Sequence, residues 1–344
     1  MNVDLPVGKA AALPVTGATP SKAEGGVGKL AYAMPKVIPV VVLVVLLLVT
    51  SFLSPEFFGP QNLINVARQA SIVGVVAMGM TFVILSGGID LSVGSVMAVV
   101  GVACAMMLQA GHNPLLVLLA GLVIGGGFGA VNGLGVTFLN IQPFVMTLAT
   151  LVIARGLALR LSNGGPQYSE TESSLWDFFG STNVGPVPGP LIVFLIVFLA
   201  SFVVLRYLPL GRKIFAVGGN AEAARLSGVR LVPVKMTVYI VSGLTAAIAG
   251  VMVTARLKVG APTAGNLMEL EAIAAVVIGG TSLVGGIGGV SGTLAGALLL
   301  AVLANLLNLL GVGAFDQQIV KGLIIVCAVV LTALALKRAQ QTTR

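Results

Sequence analysis

Charge is what this chain has least of. Only 9% of its residues are Asp, Glu, Lys or Arg, against about a quarter in a typical soluble chain. That is too little to cover a water-facing surface, so most of the surface must face lipid. Histidine occurs once, at His112. No second His and no Cys or acidic cluster stands beside it, so a metal site or a catalytic triad has nothing to be built from. Cysteine occurs twice, at Cys104 and Cys327, both inside apolar runs. That placement reads as buried free thiols rather than a disulfide. The strict apolar-polar alternation of barrel strands is also missing, because the apolar runs are too long. No cleavable signal peptide is expected: the first apolar run begins only near Val37, behind a tail rich in Pro, Gly and Ala.

What is present is apolar sequence and glycine. Hydrophobic residues make up 57% of the chain, and there are 45 glycines, which let membrane helices approach closely. The apolar runs predict an all-α, polytopic membrane bundle of about ten transmembrane helices. The spans are Val37–Leu53, Ile72–Leu85, Leu91–Leu108, Leu115–Leu139, Phe144–Leu161, Leu191–Leu208, Met236–Val253, a short Ala272–Val284, Val290–Leu310 and Ile319–Leu336. Residues 1–36 read as a disordered cytoplasmic tail and residues 338–344 as a second tail. The permease body would be 37–337.

The net charge of +8 is first a topology signal. With the N-terminus inside and one crossing per span, thirteen of the nineteen Lys and Arg residues fall inside. That predicts both termini in the cytoplasm and accounts for the charge without nucleic acid. Two water-facing segments remain. Residues 163–190 fall outside and carry Glu170, Glu172, Trp176 and Asp177. Residues 209–235 fall inside.

Two glycine patterns are decoys. Gly25-Gly26-Val27-Gly28-Lys29 resembles a phosphate loop, but that motif needs Gly at position 23 and Ser or Thr at position 30, which are Ala23 and Leu30. The chain is not expected to hydrolyse ATP. Gly121, Gly125, Gly129 and Gly133 recur every four residues and predict one smooth helix face for close packing. Gly292 and Gly296 repeat this on a smaller scale.

The informative loop is Ser86 to Ser95, with Gly87, Gly88, Asp90, Ser92 and Gly94. A carboxylate at membrane depth is costly and usually functional. Asp90 reads either as a cap for the following helix at the membrane surface or as part of a broken helix near a transport path. Residues Gly87–Gly94 align with Gly279–Gly286, sharing a GGxxLxxG pattern that suggests a weak parallel repeat. In the inside loop, Asn220 is a good N-cap, Glu222 sits in the first turn, Ala223 and Ala224 favour helix, Arg225 follows and Gly228 is a stop. This predicts a short helix in water between two spans, suited to docking in a partner's groove.

These residues carry a resemblance. Glu222-Ala223-Ala224 followed by Gly228 resembles the EAA loop of ABC-importer permeases. Ser86–Ser95 (SGGIDLSVGS), Ala216–Val229 and Val277–Gly289 resemble, in order and spacing, three stretches of the ribose-type sugar permeases. Pro233 comes too early for the longer pattern of the maltose-type branch. The resemblance implies a monosaccharide permease working by alternating access. Its implied partners are a second permease, identical or related, a cytoplasmic ABC ATPase with tandem nucleotide-binding halves and a periplasmic sugar-binding protein. No cofactor is implied.

Polar side chains within the spans are the candidate pathway: Asn132, Asn140, Thr147, Thr150, Asn305 and Asn308. Each reads first as a helix-to-helix hydrogen bond and only then as a pathway group. Permeases for branched-chain amino acids, nucleosides or a signalling sugar share this architecture. An ion-coupled secondary transporter is the alternative from another class, with Asp90 as its one clear acidic site.

Overall fold

The computed structural model describes residues 27 to 326, apart from positions 170, 172 and 325. Its helices are α1 (Val27–Leu53), α2 (Pro60–Leu85), α3 (Val93–Gln109), α4 (Pro114–Thr137), α5 (Pro143–Leu161), α6 (Ser174–Gly180), α7 (Gly189–Tyr207), α8 (Pro209–Gly219), α9 (Ala221–Leu226), α10 (Leu231–Leu257), α11 (Met268–Ile278) and α12 (Val290–Leu309). A further helical stretch starts at residue 314. Six helices (α2, α4, α5, α7, α10 and α12) are long and apolar enough to cross a membrane. Shorter apolar helices lie at Pro39–Leu53 and Val93–Gln109. The chain is an all-helical, polytopic membrane protein.

Five of the twelve helix starts are set by proline. α2, α4, α5, α7 and α8 carry Pro in their first two positions, where the missing N–H costs no helical hydrogen bond. α2 is the centre of the bundle. Its residues from Ala70 to Leu85 are all buried, and its sequence there is apolar all round, as a helix with no lipid face must be. α10, α12, α7 and α11 pack around it, and α3, α4 and α5 extend the bundle on the α10 side. The peripheral helices turn large apolar residues outward, including Val123 at 74% exposure and Val152 at 63%.

The glycine stripe of α4 does what its spacing predicts. A Cβ on Gly125 would sit 2.4 Å from the Gly243 carbonyl oxygen, and one on Gly129 would sit 2.3 Å from that of Tyr239. α4 and α10 therefore meet backbone to backbone. Gly292 and Gly296 bring α12 as close to α11, against Gly279 and Ala275.

Several boundaries differ from the sequence reading. α1 starts at Val27, ahead of Val37, so the tail read as disordered to Lys36 is helical over its last ten positions. α2 starts at Pro60 rather than Ile72, and α10 at Leu231 rather than Met236. In each case the apolar run marks the buried part of a helix that continues beyond it. The short span expected at Ala272–Val284 is α11, which ends at Ile278, because Gly279 and Gly280 stop it. α8 was not anticipated in the 209–235 loop. The last expected span is helical to residue 324, and its remainder beyond 326, with residues 338–344 and Cys327, lies outside the described residues.

The 163–190 segment is a folded cap rather than an open loop. Trp176 on α6 is 1% exposed, and Gly180 lies against the backbone of Ala255 and Arg256. β1 (Gln167–Tyr168) pairs antiparallel with β4 (Val259–Gly260), and β2 (Asn183–Val184) with β3 (Val187–Pro188). Arg68 of α2 donates to the carbonyl oxygen of Ser181 and to Asn183 Oδ1. Glu170 and Glu172 lie outside the described residues.

Candidate functional site

The repeat seen in sequence has a structural counterpart, shifted by one residue. α2 ends with Gly87 at φ 81° and α11 ends with Gly280 at φ 84°. Gly87 N–H donates to the Ile84 oxygen and Gly88 N–H to the Val83 oxygen. Gly280 N–H donates to the Val277 oxygen and Thr281 N–H to the Val276 oxygen. Both are the same two-bond helix stop, which needs a left-handed residue at its turn. The matching pair is Gly87 with Gly280, not Gly87 with Gly279, because the stop geometry and not the letter pattern sets the register.

The two stops touch. Gly286 N–H donates to the Leu85 carbonyl oxygen at 3.0 Å. α8 is wedged against the same point: a Cβ on Gly218 would lie 1.7 Å from the Leu85 oxygen and 2.7 Å from the Gly286 nitrogen. Three stretches read separately in the sequence, around Gly87, Gly218 and Gly286, thus form one junction of bare backbone.

Asp90 lies just beyond it and is 1% exposed. It is not the N-cap of α3, as one reading of the sequence had it, and its carboxylate is enclosed by protein. The N-cap position of α3 is Ser92, with no side-chain cap. Asp90 Oδ1 instead accepts from the Ser92 N–H at 2.9 Å and the Ser92 hydroxyl at 2.6 Å. Its Oδ2 accepts from the Ser242 hydroxyl of α10 at 2.7 Å. The chain of bonds continues outward: Asn132 Nδ2 donates to Ser92 Oγ at 2.9 Å, and Thr150 Oγ1 donates to Asn132 Oδ1 at 2.6 Å. Thr147 donates to the Ile89 oxygen at 3.3 Å. This network ties α4, α5 and α10 to the loop between α2 and α3, and it satisfies both carboxylate oxygens. Ser242, which completes it, was missed in the sequence because a lone serine in an apolar helix gives no signal.

Two of the remaining pathway candidates are also tied to protein. Asn305 and Asn62 exchange two amide hydrogen bonds, at 2.7 and 2.9 Å. Asn308 accepts from Gln317. Asn140 is an exposed turn residue at φ 52°. None of these six side chains lines the cavity beside Lys213 and Thr237 or the one beside Gln69 and Lys321.

The short helix expected in the inside loop is α9. Asn220 Oδ1 accepts from the Ala223 N–H at 2.9 Å, which caps its start. Glu222 and Arg225 are exposed and paired one turn apart, at 2.6 Å. The Arg225 guanidinium holds the Glu222 carboxyl below its usual range. Gly228 closes the helix at φ 84°. Ala224 is buried, and Ala223 faces out. α9 follows Gly218 by three residues, so the docking helix is joined directly to the backbone junction.

The family model described as "Branched-chain amino acid transport system / permease component" matches residues 62–329. This chain belongs to that permease family. Among similar proteins is the ribose import permease protein RbsC of Bacillus subtilis (strain 168), 44% identical over 298 residues, covering 87% of this chain and 92% of the relative. The ribose import permease protein RbsC of Escherichia coli (strain K12) is 45% identical, covering 85% and 91%. The D-allose transport system permease protein AlsC of the same strain is 37% identical, covering 86% and 91%. No solved structure matches the permease.

Proposed function

We propose that this permease is the membrane subunit of an ATP-driven importer for a monosaccharide in the bacterial inner membrane. The single observation that carries the sugar half is its 44–45% identity, over most of both chains, to ribose import permeases. In this reading a cytoplasmic ABC ATPase supplies the energy and a periplasmic binding protein supplies the substrate.

The finer proposal concerns assembly. Two copies, or two related permeases, form the path, and the ATPase carries two nucleotide-binding halves. Both termini are cytoplasmic. The exposed α9, capped by Asn220 and presenting Ala223 and the Glu222–Arg225 pair, docks on the ATPase. Closure of the ATPase halves pulls on α8 and α9. Gly218 passes that movement to the Leu85–Gly286 junction, where the stops of α2 and α11 meet. ATP binding thereby biases an equilibrium between outward and inward states. The chain itself performs no covalent chemistry.

The test is co-purification from the native membrane. Wild type should bring an ATPase with it, and Glu222→Arg should lose it. A wild type that brings none, under conditions that hold other importers together, would overturn the reading and turn attention to ion-gradient-driven uptake.

A further inference from the structure

The segment between α10 and α11 carries irregular backbone deep into the bundle. Its course is read from two close contacts with α3. A Cβ on Gly260 would sit 2.4 Å from the Gly101 oxygen, and one on Gly265 would sit 2.6 Å from the Gly94 oxygen. Between them the chain descends seven residues of α3, or about 10 Å at the helical rise. It moves from the side of the Trp176 cap toward the Asp90 loop. α11 starts only at this lower level. Its eleven residues span about 16 Å, roughly half of a hydrocarbon core. α11 is thus a half-helix with an unwound lead-in.

That lead-in is held from the side. Arg155, in the middle of α5, donates from Nη1 to the carbonyl oxygens of Pro262 and Ala264, the latter at 3.0 Å. Gly265 at φ 68° and Leu267 at φ 64° turn the chain into α11. Thr263 and Asn266 are exposed, and among the described residues neither side chain has a hydrogen-bond partner. Glu269 follows in the first turn of α11, half-buried beside Gly94. It is close enough to Arg155 for their charges to interact.

Exposed polar groups cannot face hydrocarbon at this depth, and non-helical backbone is tolerated there only inside protein or against water. A discontinuous helix at mid-membrane is also how transport sites are commonly built. We propose that Thr263, Asn266 and Glu269, braced by Arg155, line the water-filled sugar path. This rests on the importer reading above. The chemistry suits a neutral polyol. Glu269 accepts from adjacent hydroxyls, Asn266 both donates and accepts, and Thr263 does the same. Of the side chains that the sequence suggested for this role, Asn132, Thr147, Thr150 and Asn305 already have protein partners.

The test uses the whole importer, with its ATPase and binding protein, in proteoliposomes. In a Cys327→Ser background, Thr263→Cys and Asn266→Cys are challenged with a charged methanethiosulfonate. Both should label, at rates that change between nucleotide-free and ATP-bound states, and labelling should stop uptake. Glu269→Gln should lower uptake of ribose, allose or arabinose by about tenfold or more, the loss of one charge-assisted hydrogen bond, with ATPase co-purification unchanged. Cysteines that stay unlabelled in every nucleotide state would mean the segment is buried against the second permease, and would overturn the proposal. So would Glu269→Gln transport at the wild-type rate. Labelling needs no transport. A wild type that moves none of the three sugars therefore overturns the substrate assignment, while the labelling still decides whether this segment is wet.

Discussion

The Leu85 carbonyl oxygen accepts a hydrogen bond from the Gly286 N–H at 3.0 Å, so the end of the central helix is closed by a residue 201 positions later. Gly218 packs onto the same oxygen, where a Cβ would fall 1.7 Å away. Neither the oxygen nor the Gly286 nitrogen can give way as a flexible side chain would. Gly218→Ala should therefore cost about 1–3 kcal/mol, the usual range for overpacking. It should also abolish uptake before it abolishes ATPase binding. Gly219→Ala is the control, since a Cβ there meets nothing within 4 Å. Thermal unfolding in detergent and uptake in cells measure both. Equal behaviour of the two variants would count against a tight junction.

Asp90 separates structure from ion coupling. Asp90→Ala strands the Ser92 N–H and the hydroxyls of Ser92 and Ser242 in a buried site, which should cost about 3 kcal/mol or more. Asp90→Asn keeps one oxygen for Ser92, and the Ser242 hydroxyl can rotate to accept from the new amide. Asn should therefore be clearly milder than Ala in stability and should keep ATP-driven uptake. An ion-coupled transporter would show the reverse: Asn would fold normally and lose gradient-driven uptake completely. Measuring uptake against ATP and against an imposed proton or sodium gradient decides this.

How much of this was readable beforehand depended on the kind of signal. The bundle was legible because uncharged apolar runs have one physical solution in water, which is to leave it. The stripe from Gly121 to Gly133 was legible because its spacing matches the helix repeat, and α10 is where Gly125, Gly129 and Gly133 pack. α9 was legible because Asn220 and Gly228 act locally. What could not be read was anything set by a distant partner. Ser242 meets Asp90 across 152 positions, and Asn62 meets Asn305 across 243. The polar candidates were chosen by residue type alone, and type does not reveal whether a partner awaits. Glu269 and Asn266 were passed over because they lie between apolar runs, where a polar residue looks like a loop.

The α9 cap offers a graded test. Asn220→Ala removes the acceptor for the Ala223 N–H and should weaken this short helix by about 1 kcal/mol. Asn220→Asp should preserve the cap. The Glu222–Arg225 pair adds a pH dependence. Its carboxyl lies below the usual range when folded, so the pair's contribution is present above the unfolded pKa and fades as pH falls through the folded value. ATPase retention by Asn220→Ala should thus drop further below about pH 4, the ordinary carboxylate range, than it does at neutral pH. Co-purification across a pH series, with Asn220→Asp tracking wild type, is the readout. The pair is exposed, so the acid effect should be the smaller of the two and should shrink in high salt.

Close packing of α4 on α10 is the last relationship to test. At Gly129 a Cβ would lie 2.3 Å from the Tyr239 oxygen and 2.8 Å from the Ile240 Cα, so the obstacle is backbone on both counts. Gly127, two residues earlier, meets nothing within 4 Å. In lipid there is no hydrophobic drive to hold separated helices together, so a lost backbone contact is not recovered by burying more side chain. Gly129→Ala should push α4 outward and stretch the bonds through which Asn132 holds Ser92. Gly127→Ala should instead be neutral or slightly stabilising, because Ala has the higher helix propensity. Thermal unfolding in detergent should place Gly129→Ala below wild type and Gly127→Ala at or just above it. If the loss at Gly129 runs through Asn132, then Asn132→Ala added to Gly129→Ala should cost less than the two single losses combined. Strict additivity would instead mean that the stripe serves helix packing alone and leaves the Asp90 network undisturbed.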